Sequence, residues 1–133
     1  MQIRCEEHAF DLAAFESFAI EPFLPTILSH NETPSAYPPS RDKVYLPLDI
    51  FFAWHGQILD RKSFHDIKQS AARIRDAAIK EGQDIVDAPL YPNYALFDTP
   101  LHQMYGDNVE RLRALRHRVD PSKVMNMAGG FRF

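Results

Sequence analysis

A chain of 133 residues with 45% apolar residues can bury a core of ordinary size, which excludes wholesale disorder. Its formal net charge of −3 argues against non-specific nucleic-acid binding, which needs a strongly basic face. The single cysteine, Cys5, excludes an internal disulfide and fits a reducing compartment, and no run approaches the roughly 18 apolar residues of a membrane helix.

Met1 to Glu7 contains no apolar run, so no secretory signal is read there and a cytoplasmic chain is the default expectation. Phe10 to Ile20 is predicted as a short amphipathic helix, because Phe10, Ala14, Phe15 and Phe18 fall near one helical face, with Pro22 and Pro25 ending it. His30 to Lys43 is predicted as a loop, since Asn31, Pro34, Ser35, Pro38, Pro39 and Ser40 all favour turns. Leu48 to Trp54 is predicted as a strand from its β-branched and aromatic residues, with Gly56 following. Being apolar on both faces, that strand is expected to be covered on each side.

Asp60 to Glu81 carries the clearest helical spacing, with Phe64, Ile67, Ala71, Ile74 and Ala78 as the inward stripe. Lys62, His65, Gln69, Arg73, Asp76 and Lys80 lie largely off it. Asp60 or Ser63 is expected to cap its start and Gly82 to mark its stop. Ile85 to Tyr94 is predicted as extended chain, confined by Pro89 and Pro92 to an edge, a strand end or a loop. Thr99-Pro100 reads as an N-cap followed by proline at the first helical position, opening a brief helix that stops at Gly106. Asp107 and Glu110 then read as a capping-box-like start. Val109, Leu112, Leu115 and Val119 are the expected buried stripe of this last helix, and Asp120-Pro121 ends it. The sum is an α+β chain with few strands and about four helices. A sheet of so few strands is marginal alone, which suggests part of a larger assembly.

Neither a Gly-x-Gly-x-x-Gly nor a Gly-x-x-x-x-Gly-Lys sequence is present. The paired glycines, Gly129 and Gly130, have no helix after them to complete a phosphate cradle. His8, His30, His55, His65, His102 and His117 form no His-x-x-x-His pair, so no metal site is expected. Cys5 stands beside Glu6 and Glu7, which disfavour its thiolate. Arg111, Arg113, Arg116 and Arg118 could meet phosphate, but they also suit the wet, dipole-complementing end of a helix.

Ala88-Pro89-Leu90-Tyr91-Pro92-Asn93-Tyr94-Ala95 places two phenols and an amide within four residues. In extended chain Tyr91 and Asn93 share one face and Tyr94 takes the other, unless Pro92 bends the backbone. Aromatic residues in such a place can be core packing or a site. Downstream come Tyr105-Gly106, Asn108, Arg111-Leu112, Asp120-Pro121, Val124, Asn126 and Gly129-Gly130-Phe131; upstream come Ser35-Ala36-Tyr37-Pro38-Pro39-Ser40-Arg41 and Phe51-Phe52-Ala53-Trp54. Taken in order, these motifs resemble the C-terminal region of fungal-type FAD-linked oxidases of the berberine-bridge group, within the vanillyl-alcohol-oxidase type.

The resemblance implies a small antiparallel sheet covered by helices, forming an incomplete substrate domain of a two-domain flavoprotein. About 1–98 would be the C-terminal part of that substrate domain, and about 85–133 the berberine-bridge-like segment returning to the flavin. The FAD-binding domain would be absent, so FAD belongs to the complete enzyme and the missing domain or chain is the expected partner. The implied roles are Tyr94 as the base that takes a substrate proton during hydride transfer to flavin, Asn93 as a cofactor contact, and Tyr91 with Trp54 as substrate contacts. Trp54 and Phe52 equally suit core or pocket wall, and the terminal Gly-Gly-Phe-Arg-Phe is expected to dock on the flavin domain. The substrate class would be a sugar, an alkaloid or another small secondary metabolite. The alternative is a non-catalytic α+β interaction module or partner subunit that kept the old domain surface, with self-association expected from its exposed apolar face.

Overall fold

The computed structural model describes residues 13–24, 26–30, 33–38, 41, 43 and 45–133. They fall into two compact units, one of the described residues within 1–21 and 48–86, the other of those within 22–47 and 87–133.

The first unit is a two-stranded antiparallel sheet with one long helix. Strand β1 (Ala13–Ile20) pairs with β2 (Leu48–Trp54), placing Glu16 opposite Phe52 and Phe18 opposite Ile50. The helix predicted from Phe10 is therefore a strand over its described part; Phe10 to Leu12 lie outside the described residues. Helical spacing of a few aromatics is a weak local signal in so short a segment, and pairing with β2 overrides it. Phe15 packs on Phe51 at 6.2 Å between ring centroids and Phe18 on Phe52 at 6.3 Å, the cross-strand aromatic pairs that stabilise a sheet.

The β2 boundaries match the sequence expectation, but its two-sided cover does not. Alternation puts Ile50, Phe52 and Trp54 on one face and Phe51 with Ala53 on the other. Trp54 carries the contact to α1 (Asp60–Lys80), its ring meeting Phe64 edge-on at 5.5 Å. The opposite face is exposed at Phe15 (57%) and Phe51 (50%), and α1 covers its own face only toward Trp54, since Phe18 is 51% exposed. One helix has one apolar stripe and can cover only one face of a sheet.

Gly56, at φ 78°, turns the chain out of β2, and a 3-10 turn at Gln57–Leu59 leads into α1. Leu59, not Asp60 or Ser63, occupies the N-cap position, and no side chain caps the helix. Asp60 spends its carboxylate on Trp54 while still complementing the dipole from the first turn. Phe64, Ile67, Ile74 and Ala78 are half-buried, whereas Ala71 is exposed; Lys62, His65, Gln69, Arg73, Asp76 and Lys80 are all exposed as expected. Gly82, at φ 87°, follows the helix end as the spacing predicts.

The second unit contains α2 (Leu101–Tyr105) and α3 (Asn108–Val119), with 3-10 turns at Ile27–His30 and Val124–Ala128. Met104 is fully buried and Val109 is 8% exposed, and these are the buried hydrophobic side chains of the described residues. The cap of α2 is Pro100, one residue later than predicted. Asp107 does stand at the N-cap of α3, but its side chain makes no capping bond, and Glu110 pairs with Arg113 instead. The expected stripe of α3 is covered only in its first half: Leu115 is 42% and Val119 67% exposed. The predicted loop after His30 holds over its described residues, and the Tyr37–Pro38 peptide bond is cis.

Candidate active site

The Tyr91–Tyr94 segment is a turn rather than a strand. Pro92 fixes φ at the second position, and the Tyr94 backbone N–H donates to the Tyr91 carbonyl at 3.1 Å. Pro92 thus bends the chain, and the opposite facing of Tyr91 and Tyr94 expected for straight extended backbone does not apply. The two rings meet edge-on, 5.0 Å between centroids. Asn93 Nδ2 donates to the Tyr91 phenol oxygen at 2.9 Å. Tyr91, Asn93 and Tyr94 are thus brought together, with both tyrosines half-buried and Asn93 exposed. Just upstream, the Leu90 N–H donates to the Gln103 carbonyl at 2.8 Å and fastens the segment to α2.

Further aromatics complete the cluster. Tyr91 also touches Phe23 at 6.0 Å and Tyr37 at 5.8 Å. Tyr37 touches Tyr105 at 6.5 Å, and Tyr105 touches Phe133 at 5.3 Å. The result is an unbroken path of ring contacts from Tyr94 through Tyr91, Tyr37 and Tyr105 to Phe133. Burial, and then the nearby Tyr91 and Tyr105 phenols, push the Tyr37 pKa above the usual phenol value. Burial does the same for Tyr105. Both side chains hold their protons and can serve as donors. Tyr37 and Tyr105 stand in the motifs that carry the resemblance, and the resemblance implies no role for them.

Trp54 lies in the first unit, where its indole N–H donates to Asp60 Oδ1 at 2.7 Å. It is half-buried at the junction of β2 and α1. Among the arginines of α3, Arg111, Arg113 and Arg118 are exposed, while Arg116 is half-buried and bonds the Asn126 side chain and the Phe133 carbonyl. Arg116 thus ties the C-terminal tail to α3.

The paired glycines do not form a helix-capped phosphate cradle. Gly129 and Gly130, at φ 83° and 80°, follow a 3-10 turn and open no helix, and neither has a neighbour within 4 Å of where a Cβ would stand. No group of three or more His, Cys, Asp or Glu among the described residues is arranged for a metal ion, and none of their helices is long and apolar enough to cross a membrane.

Comparison with known proteins gives one family match: residues 90–130 match the family described as Berberine and berberine like. No curated protein and no solved structure matches the chain. The matched segment begins at the tyrosine turn, spans α2 and α3, and ends at the paired glycines. Over residues 90–130, about a third of its length, the chain is therefore similar to the berberine and berberine-like family, a family of FAD-linked oxidoreductases.

Proposed function

We propose that the chain supplies the substrate-domain end of an FAD-dependent oxidoreductase acting on a small organic substrate such as a sugar, an alkaloid or another secondary metabolite. Tyr94 takes the substrate proton, Tyr91 lines the pocket, and Asn93 orients the cofactor or the substrate through its amide. The flavin and the dinucleotide cradle belong to an FAD-binding domain or chain, the required partner. The observation that supports this reading is the turn that sets the Tyr94 ring edge-on to Tyr91, whose phenol oxygen accepts from Asn93, inside the matched segment. A phenol titrates near 10 when unperturbed, so a base working near neutrality needs donors or a cation at its oxygen. The substrate-contact role of Trp54 rests on the resemblance alone.

The test fuses this chain to the flavin-containing part of a berberine-bridge-type oxidase and compares Tyr94→Phe with the parent. Flavin content and fold are expected to survive. Flavin reduction by substrate slows by roughly 10²–10⁴-fold, the usual worth of a positioned base. The loss falls in the chemical step rather than in apparent binding alone, and Tyr91→Phe is mild. Unchanged reduction in Tyr94→Phe would make that residue a packing residue.

A second reading, a non-catalytic interaction module that self-associates, is favoured by the open sheet face with Phe15 and Phe51. It requires hydrophobic-dye binding or concentration-dependent oligomers that Phe15→Ser and Phe51→Ser together abolish. A monodisperse monomer that binds no dye contradicts it.

A further inference from the structure

Tyr37 is separated from the tyrosine turn by more than fifty residues of chain, yet its ring touches both Tyr91 and Tyr105. Its backbone is fastened from both sides. The Ser35 hydroxyl donates to the Tyr37 carbonyl at 2.7 Å, and Arg41 holds that hydroxyl at 2.8 Å while also reaching the Thr33 carbonyl at 3.0 Å. From α3, Asn108 Nδ2 donates to the Ala36 carbonyl at 3.2 Å. Pro38 is buried directly after it. The Tyr37 ring is thus borne on a segment tied both to itself and to the helix that follows the turn. Tyr91 belongs to a turn closed by one backbone bond and fastened to α2 through Leu90, and its ring leans on Tyr37, Phe23 and Tyr94.

We propose that Tyr37 is a positioning residue for the candidate site: its fixed ring sets the orientation of Tyr91, and Tyr91 in turn sets Asn93 and Tyr94. The arrangement is a relay of contacts. Tyr37 meets Tyr91 tilted at 46°, and Tyr91 meets Tyr94 at 86°, so a rotation of the middle ring cannot occur without disturbing both neighbours. The phenol oxygen of Tyr91 is also the acceptor for Asn93, so the same rotation would move the amide. For the placement of Asn93 and Tyr94 the proposal stands on geometry alone; for catalysis it rests on the reading of Tyr94 as the base.

The test has one readout that needs no activity. In the 133-residue chain, the side-chain amide signals of Asn93 and the ring signals of Tyr91 are followed by NMR in Tyr37→Leu, Tyr37→Phe and Ser35→Ala. Tyr37→Leu is expected to shift the Asn93 and Tyr91 signals, and Tyr37→Phe, which keeps the ring, to restore them. Ser35→Ala changes an exposed side chain, leaves the fold intact and is expected to move the same signals in the same direction. It carries the test even where Tyr37→Leu fails to fold. Asn93 and Tyr91 signals unmoved in Ser35→Ala and in a folded Tyr37→Leu would overturn the proposal. In the flavin-containing fusion, Tyr37→Leu should slow flavin reduction roughly 10-fold or more, with Tyr37→Phe close to the parent, because small misplacements of a reacting group are costly. If Tyr94→Phe reduces flavin normally while the Asn93 signals still follow Tyr37, the positioning stands and the base assignment falls. If Tyr94→Phe is slow but the Tyr37 variants move neither signals nor rate, the positioning is wrong and the base assignment stands.

Discussion

The indole N–H of Trp54 donates to the Asp60 carboxylate at 2.7 Å, joining the last residue of β2 to the first of α1. The bond uses the acidic group that would otherwise be free to cap the helix. Removing it leaves a half-buried indole donor unpaired and strips a favourable charge from the first helical turn. Asp60→Ala is expected to cost about 1–3 kcal/mol, and Asp60→Asn, which keeps a carbonyl acceptor, clearly less. Trp54 is the sole tryptophan, so urea unfolding followed by its fluorescence reports this joint directly. Equal losses in both variants would show that charge, not the hydrogen bond, holds the joint.

Much of this unit was legible because its elements are declared locally. The β-branched and aromatic run of Leu48–Trp54 and the regular spacing of Phe64, Ile67, Ile74 and Ala78 each specify one secondary structure over a sufficient length. Ala13–Ile20 was not legible. Its conformation is set by a strand that begins nearly thirty residues later, and its own pattern of phenylalanines fits a helix as well. In the second unit Tyr91, Asn93 and Tyr94 could be named from sequence, but their relative facing could not, because it depends on whether Pro92 bends the chain. Tyr37 was out of reach for another reason: contact between rings so far apart in sequence is decided by tertiary packing. Likewise the outer half of the α3 stripe reads as core in sequence, while Leu115 and Val119 remain exposed.

The C-terminal tail is predicted to be held mainly by two side chains of the α3 end. Arg116 reaches Asn126 at 3.0 Å and the Phe133 carbonyl, and the Asp120 carboxylate accepts from the Val124 and Met125 N–H groups at 2.8 and 3.0 Å. Asp120 thus satisfies the first two N–H groups of the 3-10 turn at Val124–Ala128 with its two oxygens, while Lys123 holds the N-cap position. Asp120→Ala and Arg116→Lys are each expected to cost about 1–2 kcal/mol of local stability. Lysine keeps the charge of Arg116 but cannot reproduce a planar fork that reaches two acceptors. The measurement is hydrogen exchange of the Val124 to Ala128 amides, which should quicken in both variants while α1 amides stay as they were. Unchanged exchange in Arg116→Lys would mean that charge alone secures the tail.

Phe133 is predicted to steady Tyr105 through its edge-on contact at 5.3 Å, and hence the far end of the ring path. Aromatic pairs of this kind contribute about 0.5–1.5 kcal/mol beyond area burial. Phe133→Ala should therefore lower the stability of the second unit by roughly 1–3 kcal/mol, while Phe133→Leu recovers part of the loss through apolar area. Thermal unfolding by far-UV circular dichroism, alongside Trp54 fluorescence for the first unit, separates the two responses. A variant that moves only the fluorescence transition would contradict the assignment of Phe133 to the tyrosine cluster.

The tyrosine cluster also predicts alkaline sensitivity. Tyr37 and Tyr105 have folded-state pKa values raised above the ordinary 10.0, Tyr37 by burial first and then by the neighbouring Tyr91 and Tyr105 phenols, Tyr105 by burial. Below 10 both groups are protonated whether the chain is folded or unfolded, so their contribution to stability is fully present and does not vary with pH. As pH rises past 10 the unfolded chain loses these protons while the folded chain still holds them. Stability therefore declines, and it goes on declining until pH passes the raised folded values. Unfolding free energy measured by urea at pH 8, 9, 10, 10.5 and 11 should be level in its early part, apart from titrations common to all variants, and then fall. Tyr37→Phe keeps the ring and removes the ionisable oxygen, so its decline above pH 10 should be shallower than the parent's. Tyr105→Phe should also flatten it, because it removes a phenol raised by burial and with it one of the neighbours that raise Tyr37. Comparing variants at each pH cancels the lysine and remaining tyrosine titrations that all of them share. An alkaline slope in Tyr37→Phe equal to the parent's would show that the Tyr37 phenol feels neither the burial nor the neighbouring rings on which its place in the site depends.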